Sequence, residues 1–259
     1  PQRCAPCTVT SVPADFTPVF HHFEALDSTN TTCAEMASAG APAGTTVTAD
    51  VQHAGRGRMD RTWVAPPASS LLCSVLLRPS CGVEDLHLAT LAMAVAALDA
   101  ITATTGMPPA LKWPNDLLFD GRKCGGILAE AQPSTDPSTM AVVVGIGINC
   151  TFAGPPEATG TSLLAATGVD VAPATLGSAL LHALTPIVPL LDTESGRSIL
   201  LERYRGLLDT LGRDVRVEMT GGSVEGRAVG VDGRGALLVE HDGAIDAFHV
   251  GDVVHLRPR

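Results

Sequence analysis

The sequence predicts an α+β protein: a large domain of strands and helices over residues 19–211, then a small all-β barrel over residues 212–259. Three observations carry this. Apolar β-rich runs alternate with helical stretches from about residue 15 to 209. The 259 residues are 45% hydrophobic and 17% charged, enough apolar side chain for a sizeable core. Beyond Gly212 the pattern changes to "RDVRVEM", "SVEGRAVGV", "ALLVEH", "AIDAFHV" and "VVHL", short strands divided by "TGG", "DGRG", "HDG" and "GD". The boundary is placed at Leu211–Arg213.

Each element has its own reason. "PVFHHFEAL" and "TTVTADVQ" read as strands, and "TNTTCAEMASAG" between them as a helix ending at Gly40. "SSLLCSVLLRP" is apolar enough to be a strand buried on both faces. Leu88, Leu91, Val95 and Leu98 recur at helical spacing, so residues 84–105 should form a core helix. In "LKWPNDLLFDGRKCGGILAE", Asp120-Gly121 marks a hairpin between two short strands. "AQPSTDPST" reads as a surface loop and "MAVVVGIGIN" as another buried strand. Residues 174–209 give two helical stretches, the first broken by Pro186 and Pro189.

Composition excludes several classes. A formal net charge of −10 argues against broad nucleic-acid binding, which needs a basic face, and no helix-turn-helix fits before residue 19. The run "LATLAMAVAALDAIT" is interrupted by Thr90 and Asp99 and falls short of the roughly 20 residues of a membrane span; it reads as a buried helix. "PQRCAPCTVT" lacks the apolar stretch of a signal peptide. The seven cysteines are scattered and odd in number, which is no disulfide framework and indicates a reducing, cytoplasmic setting. Cys4 and Cys7 have redox or half-zinc spacing, but no second pair follows. Residues 1–18 read as a poorly ordered terminal segment. "NTT" and "NCT" fit the glycosylation pattern but would go unused in a cytoplasmic protein.

The stretches able to do chemistry are individually weak. There is no phosphate-loop motif, and "GIGIN" lacks the third glycine of a dinucleotide fingerprint; its two glycines could instead let something pack closely. "WPND" has the composition of a rigid turn. Lys123 follows the hairpin turn, where a lone lysine is usually a solvated charge. His21 and His22 alternate along a strand and read as structural. "QHAGRGR", residues 52–58, sets Arg56 and Arg58 between glycines in an acidic chain. That is a poor structural element but suits an anion clamp, so residues 53–60 are expected to be mobile until a ligand closes them.

In order along the chain, "STN" at 28–30, "QHAGRGR", Trp63, "KWPND" at 112–116, "GRKCGGILAE" at 121–130 and "VGIGIN" at 144–149 closely resemble the biotin–protein ligase family, over about residues 19–256. The likeness is to its short form, without an N-terminal DNA-binding domain. It implies a mixed sheet flanked by helices, similar to lipoate ligases and class II aminoacyl-tRNA synthetases, and an SH3-like C-terminal domain. It also implies two steps: biotin and ATP give biotinyl-5′-AMP, and the biotinyl group then passes to a lysine ε-amine on the biotin carboxyl carrier domain of a biotin-dependent carboxylase. Mg²⁺ would enter with the ATP phosphates. No nucleic acid or membrane partner is implied, and both a monomer and a homodimer are compatible.

Carried over position by position, the resemblance implies a biotin pocket of Ser28, Thr29, Asn30, Gln52, Gly55, Arg56, Arg58, Lys123 and Gly126. The ATP site would use Arg56, Arg58, Trp63, Lys112, Asn115, Lys123 and Asn149. Lys123, Asp116 and Arg58 would be catalytic, with Asp116 as the single candidate for a direct metal contact. Uniting two anions needs cations placed where charge builds up, and the arginines and lysines supply them. The second step needs a neutral amine, which a carboxylate such as Asp116 could orient or deprotonate. Cys124, beside the lysine, is expected to make the site sensitive to thiol reagents. A lipoate or octanoate ligase would want a long apolar tunnel, which "GRGR" with Gln52 speaks against. A biotin-sensing repressor would need a basic recognition helix, which the chain lacks.

Overall fold

The computed structural model describes residues 16–133, 141–155, 159–219, 221–249 and 251–256. Cys4 and Cys7, the terminal segment up to residue 15, and residues 134–139 of the expected surface loop lie outside them. Seven strands form the first sheet: β1 (Val19–Leu26), β2 (Thr45–Gln52), β3 (Ser70–Leu77), β4 (Ala110–Lys112), β5 (Asp116–Phe119), β6 (Arg122–Gln132) and β7 (Ala141–Asn149), in the order β1-β2-β3-β7-β6-β5-β4. Only β1 and β2 run parallel, joined by helix α1 (Thr29–Ser38); every other pairing is antiparallel. The sheet is therefore mixed, as the resemblance implied.

Strand alternation sorts side chains between two helical layers. From β3 and β7, Leu71, Cys73, Val75, Leu77, Val142, Val144, Ile146 and Ile148 join the large core under α2 (Leu88–Thr105), α4 (Pro173–Leu184) and α5 (Glu194–Leu207). Leu76, Ala141 and Val143 face the other way, onto Cys33 and Ala37 of α1. On that second face β7 continues with Gly145 and Gly147, whose missing side chains leave room for the site described below.

Helix α2 is long and apolar enough to cross a membrane, yet it lies buried in the core, packed on α4, α5, β6 and β7. It starts at Leu88 rather than residue 84 and stops at Gly106, which takes a φ of 73°. Helix α4 begins on Pro173 and ends before Pro186. A short 3₁₀ turn follows, and the Thr193 hydroxyl then caps α5 by accepting from Gly196 N at 3.0 Å. The Asp120-Gly121 hairpin has positive φ at both residues, 49° and 72°, the geometry of a type I′ turn. Strand β4 and the short α3 (Leu163–Thr167) were not anticipated; three and five residues show no readable period.

The second sheet is antiparallel throughout: β8 (Asp214–Met219), β9 (Gly222–Val231), β10 (Leu237–His241), β11 (Ala244–Phe248) and β12 (Asp252–His255), in the order β11-β10-β9-β8-β12. This antiparallel sheet agrees with the expected small barrel, with no ladder joining β11 to β12 among the described residues. Its Val215, Val217, Leu237 and Val239 belong to the same apolar cluster as the large core. Polar contacts pin the "KWPND" turn from this side: Trp113 Nε1 donates to Gly235 O at 3.0 Å, and Trp113 N to Thr210 Oγ1 at 3.0 Å. Tyr204, on α5, donates its hydroxyl to Pro114 O at 3.3 Å.

His255 sits behind this turn, with Nε2 at 3.2 Å from Thr210 Oγ1 and Nδ1 at 3.9 Å from Asp209 Oδ2. Burial, and then the charges of Lys112 and Arg213, push its pKa down from 6.5 to about 4. The folded imidazole stays neutral where the unfolded one takes a proton, so this contribution is complete above pH 6.5 and is lost as pH falls towards 4. Urea midpoints should therefore drop over that window, and His255→Gln should flatten the drop. An unchanged slope in the variant would show that His255 is not its source.

Candidate active site

A cavity of about 370 Å³ opens where α1, the 53–63 loop, β5–β7 and the start of β12 converge. That size suits a small-molecule ligand. Ser28, Thr29, Asn30, Gln52, Arg56, Arg58, Trp63, Asn115, Asp116, Lys123, Gly126 and Asn149 line it, all singled out from sequence; Gly55 and Lys112 do not.

At one end is a polar seat. Gln52 Oε1 accepts from Thr29 N at 2.7 Å and from Thr29 Oγ1 at 3.0 Å. Ser74 Oγ, on β3, lies 2.8 Å from Thr29 Oγ1 and donates to Asn30 Oδ1 at 2.6 Å. Asn30 Nδ2 donates to Leu128 O at 3.2 Å and to Glu130 Oε2 at 2.7 Å. Ser28, the N-cap of α1, makes no side-chain cap bond. The glycines of "GIGIN" build this end: a Cβ on Gly145 would lie 2.0 Å from Asn30 Oδ1, and one on Gly147 would lie 2.6 Å from the Trp63 ring. Close packing, not a phosphate turn, is their purpose. Trp63 packs against Gly147, its Nε1 buried without a partner among the described residues.

At the other end is a cation cluster. Asp116 is buried at the start of β5, with Lys123 Nζ 2.5 Å from its Oδ1 and Lys112 Nζ 3.6 Å from its Oδ2. Lys123 is thus no free solvated charge; it also stands 5.9 Å from the Trp63 ring centroid. A register shift between Leu117 and Leu118 makes a bulge at Cys124, and it brings Lys123 to the same face as Gly126. The same bulge sends Cys124 into the core, fully buried, with its thiol pushed up to about 12 by burial. The expected thiol sensitivity is therefore corrected: Cys124 is an inert core thiol. Arg58 donates to Asn115 Oδ1 at 3.1 Å and to Gly251 O at 3.0 Å, and burial lowers its pKa from the usual arginine value while Asp252 and Asp116 oppose the shift. Asn149 faces inward at both ends of its amide, donating to Thr161 O at 2.9 Å and accepting from Ser70 Oγ at 3.4 Å.

The arginine loop has more structure than its composition suggests. Trp63 N donates to Gly55 O, Arg56 and Thr62 pair in antiparallel register, and Gly57 N donates to Arg61 O at 2.6 Å. Met59 and Asp60 turn the hairpin with positive φ of 52° and 57°. A Cβ on Gly55 would meet Trp63 O at 2.4 Å, so that glycine permits close approach of the two arms. Both flanks of the hairpin are tied down: Arg56 to Glu130 at 2.8 Å, and Arg61 to Asp252 of β12 at 2.6 Å. Glu130, Ser74, Arg61 and Asp252 were not singled out from sequence.

Among the described residues no group of three His, Cys, Asp or Glu is placed to hold a metal. Asp116, the one carboxylate proposed for Mg²⁺, already faces two ammonium groups, so the donor set does not make a protein metal site. A magnesium ion would arrive on a nucleotide's phosphates with its own waters.

Residues 22–149 match the biotin/lipoate A/B protein ligase family, and residues 210–256 match the biotin protein ligase C-terminal domain. The biotin–[acetyl-CoA-carboxylase] ligase of Mycobacterium tuberculosis is 36% identical over 240 residues, 89% of this chain and 86% of that protein. The bifunctional ligase/repressor BirA of Bacillus subtilis is 32% identical over 252 residues, 91% of this chain and 73% of that protein. Among solved structures, the biotin protein ligase from Aquifex aeolicus in complex with biotin and ATP superposes with a TM-score of 0.78 at 26% identity, covering 92% of this chain and 99% of that one.

Proposed function

Because the chain belongs to the biotin/lipoate A/B protein ligase family and is a ligase, we propose that it joins biotin to a protein through biotinyl-5′-AMP, using the cavity just described. One observation carries the choice of biotin: the Gln52–Thr29–Ser74–Asn30 seat adjoins the Lys123–Asp116–Arg58 cluster in a single cavity. A ureido head needs both donors and acceptors, and leaving one unpaired costs roughly 1–3 kcal/mol. A lipoyl ring has neither the donors nor the carbonyl acceptor of a ureido head, so it would gain nothing from the polar groups of the seat.

In the first step a biotin carboxylate oxygen attacks the α-phosphorus of ATP. A mixed anhydride forms and pyrophosphate leaves. Lys123 lies where both anions meet, and Arg58 closes the loop over them; their charges oppose the repulsion and stabilise the charge that builds on the phosphoryl oxygens. Asp116 orients Lys123. Trp63 lines the cavity and offers its ring to the ligand. In the second step a lysine ε-amine of a carrier domain attacks the acyl carbon, AMP leaves, and the amine gives up its proton. Asp116 is the buried carboxylate nearest this chemistry, and the carrier domain of a biotin-dependent carboxylase is the proposed acceptor. Incubation with ATP, a carrier domain and either biotin or lipoate, followed by intact-mass measurement, tests this. A biotinyl increment on the carrier is the expected result; a lipoyl increment alone would overturn the choice of substrate.

Arg58 bridges the hairpin, the Asn115 turn and Gly251. Arg58→Gly should therefore loosen closure while leaving Lys123 in place, so the adenylate forms but escapes. Streptavidin blots of serum albumin mixed with enzyme, biotin and ATP should show several-fold more labelling with the variant. Equal labelling, with adenylate dissociation unchanged, would remove Arg58 from the closure.

A further inference from the structure

Glu130 belongs to no part of the site as read from sequence, yet it touches two of its members. It lies on β6, four positions past Gly126, with its side chain 28% exposed. Its Oε2 accepts from Asn30 Nδ2 at 2.7 Å and from Arg56 Nη2 at 2.8 Å. Asn30 belongs to the polar seat, whereas Arg56 belongs to the hairpin that covers it. A single carboxylate oxygen thus joins the floor of the cavity to its cover. We propose that Glu130 is a positioning residue: it holds the Arg56 flank of the hairpin closed against the seat and fixes the direction of the Asn30 amide, thereby setting how long biotin is retained. The proposal rests on the reading of the cavity as a biotin site, but its first consequence does not.

The chemistry of the acceptor matters. A carboxylate only accepts, so Asn30 must turn Nδ2 towards Glu130 and Oδ1 towards Ser74, and Ser74 must spend its proton on Asn30. That sets the Asn30 and Ser74 end of the seat and leaves the Thr29 hydroxyl proton to Gln52 Oε1 or Ser74 Oγ. The guanidinium of Arg56 is engaged by Glu130 and, at 3.4 Å, by Thr31 Oγ1. Its Nη2 is therefore committed within the protein, which holds Arg56 in its place in the hairpin, beside Gly57 and across from Thr62. The opposite flank has a separate tie, Arg61 to Asp252, so losing Glu130 frees one flank and leaves the other attached. Glu130 lies outside the residues lining the main cavity, so its effect on a ligand passes through Asn30 and Arg56.

Glu130→Gln keeps the shape and an acceptor but loses the charge; Glu130→Ala removes both contacts. The first measurement is hydrogen exchange of the residue 53–60 amides in ligand-free protein. Both variants should exchange there at least about fivefold faster, with β6 and β7 core amides unchanged. Unchanged loop exchange overturns the proposal, whether or not the protein uses biotin. The second is the biotin dissociation rate, expected to rise about tenfold in Glu130→Ala, with the KM for ATP moving less than twofold. The third is the same comparison in an Arg56→Gln background. If Glu130 acts through Arg56, Glu130→Gln adds little there, because the two changes break one contact. Full additivity, or a wild-type dissociation rate in Glu130→Ala, overturns the proposal. If the wild type binds no biotin, the functional reading fails, and the exchange measurement still decides the role of Glu130.

Discussion

Lys123→Ala should slow pyrophosphate release by about 10²-fold or more, the scale of removing one preorganised electrostatic contact from a reaction that unites two anions. The structure sharpens this expectation. Lys123 Nζ is held at 2.5 Å from Asp116, its chain passes over Gly126, and it stands over the Trp63 ring. Its position is therefore fixed before a ligand arrives, which is what makes a charge catalytically effective. The substitution also has a structural consequence, because buried Asp116 keeps only Lys112, at 3.6 Å. A loss of about 1 kcal/mol in stability should accompany it. Lys123→Met, which keeps the apolar stem, and a thermal melt of each variant separate the two effects. Release at the wild-type rate in folded protein would remove Lys123 from the first step.

Gly145→Ala should weaken biotin binding by about 10²-fold with one methyl group. The new Cβ would lie 2.0 Å from Asn30 Oδ1, and Asn30 cannot simply swing away. It is buried on α1, accepts from Ser74 and donates to Glu130 and Leu128. Displacing its amide breaks two or three buried hydrogen bonds. Those bonds cost stability; the displaced amide also no longer meets the biotin head, and leaving that head unpaired costs roughly 1–3 kcal/mol, up to two orders of magnitude in Kd. The crowding itself should destabilise the fold by about 1–3 kcal/mol. Calorimetric titration with biotin reads the first effect and a urea melt the second. Biotin binding at the wild-type level would show that Asn30 is not part of the seat.

Much of this was legible in the sequence because it rests on local chemistry. Strand alternation and the Asp120-Gly121 turn are short-range signals, whereas the site residues were legible through the family resemblance that "KWPND" and "GRKCGG" carry, and most of them line one cavity. What was hidden depends on direction and distance. Lys123 and Cys124 are neighbours, so the cysteine seemed part of the site; the bulge between Leu117 and Leu118 gives the two residues opposite environments. The arginine loop looked formless because Met59, which takes positive φ at its turn, is not a typical turn residue. Its hairpin is completed by Glu130 and Asp252, which lie 74 and 191 positions after Arg56 and Arg61. Ser74 stands in an apolar strand where only the fold reveals Asn30 beside it. The glycines of "GIGIN" were legible as sites of close approach, but not for what approaches.

The central claim is that one cavity binds biotin by its head and activates its carboxylate with ATP. The most direct measurement is to incubate the protein with ATP and an equimolar mixture of biotin and lipoate, without any acceptor, and to identify the protein-bound adenylate by mass spectrometry. The polar seat and the cation cluster together predict biotinyl-5′-AMP in near-stoichiometric amount, lost in Lys123→Ala and much reduced in Gly145→Ala. Lipoyl-AMP as the dominant species, or no adenylate from a folded protein, would contradict the account.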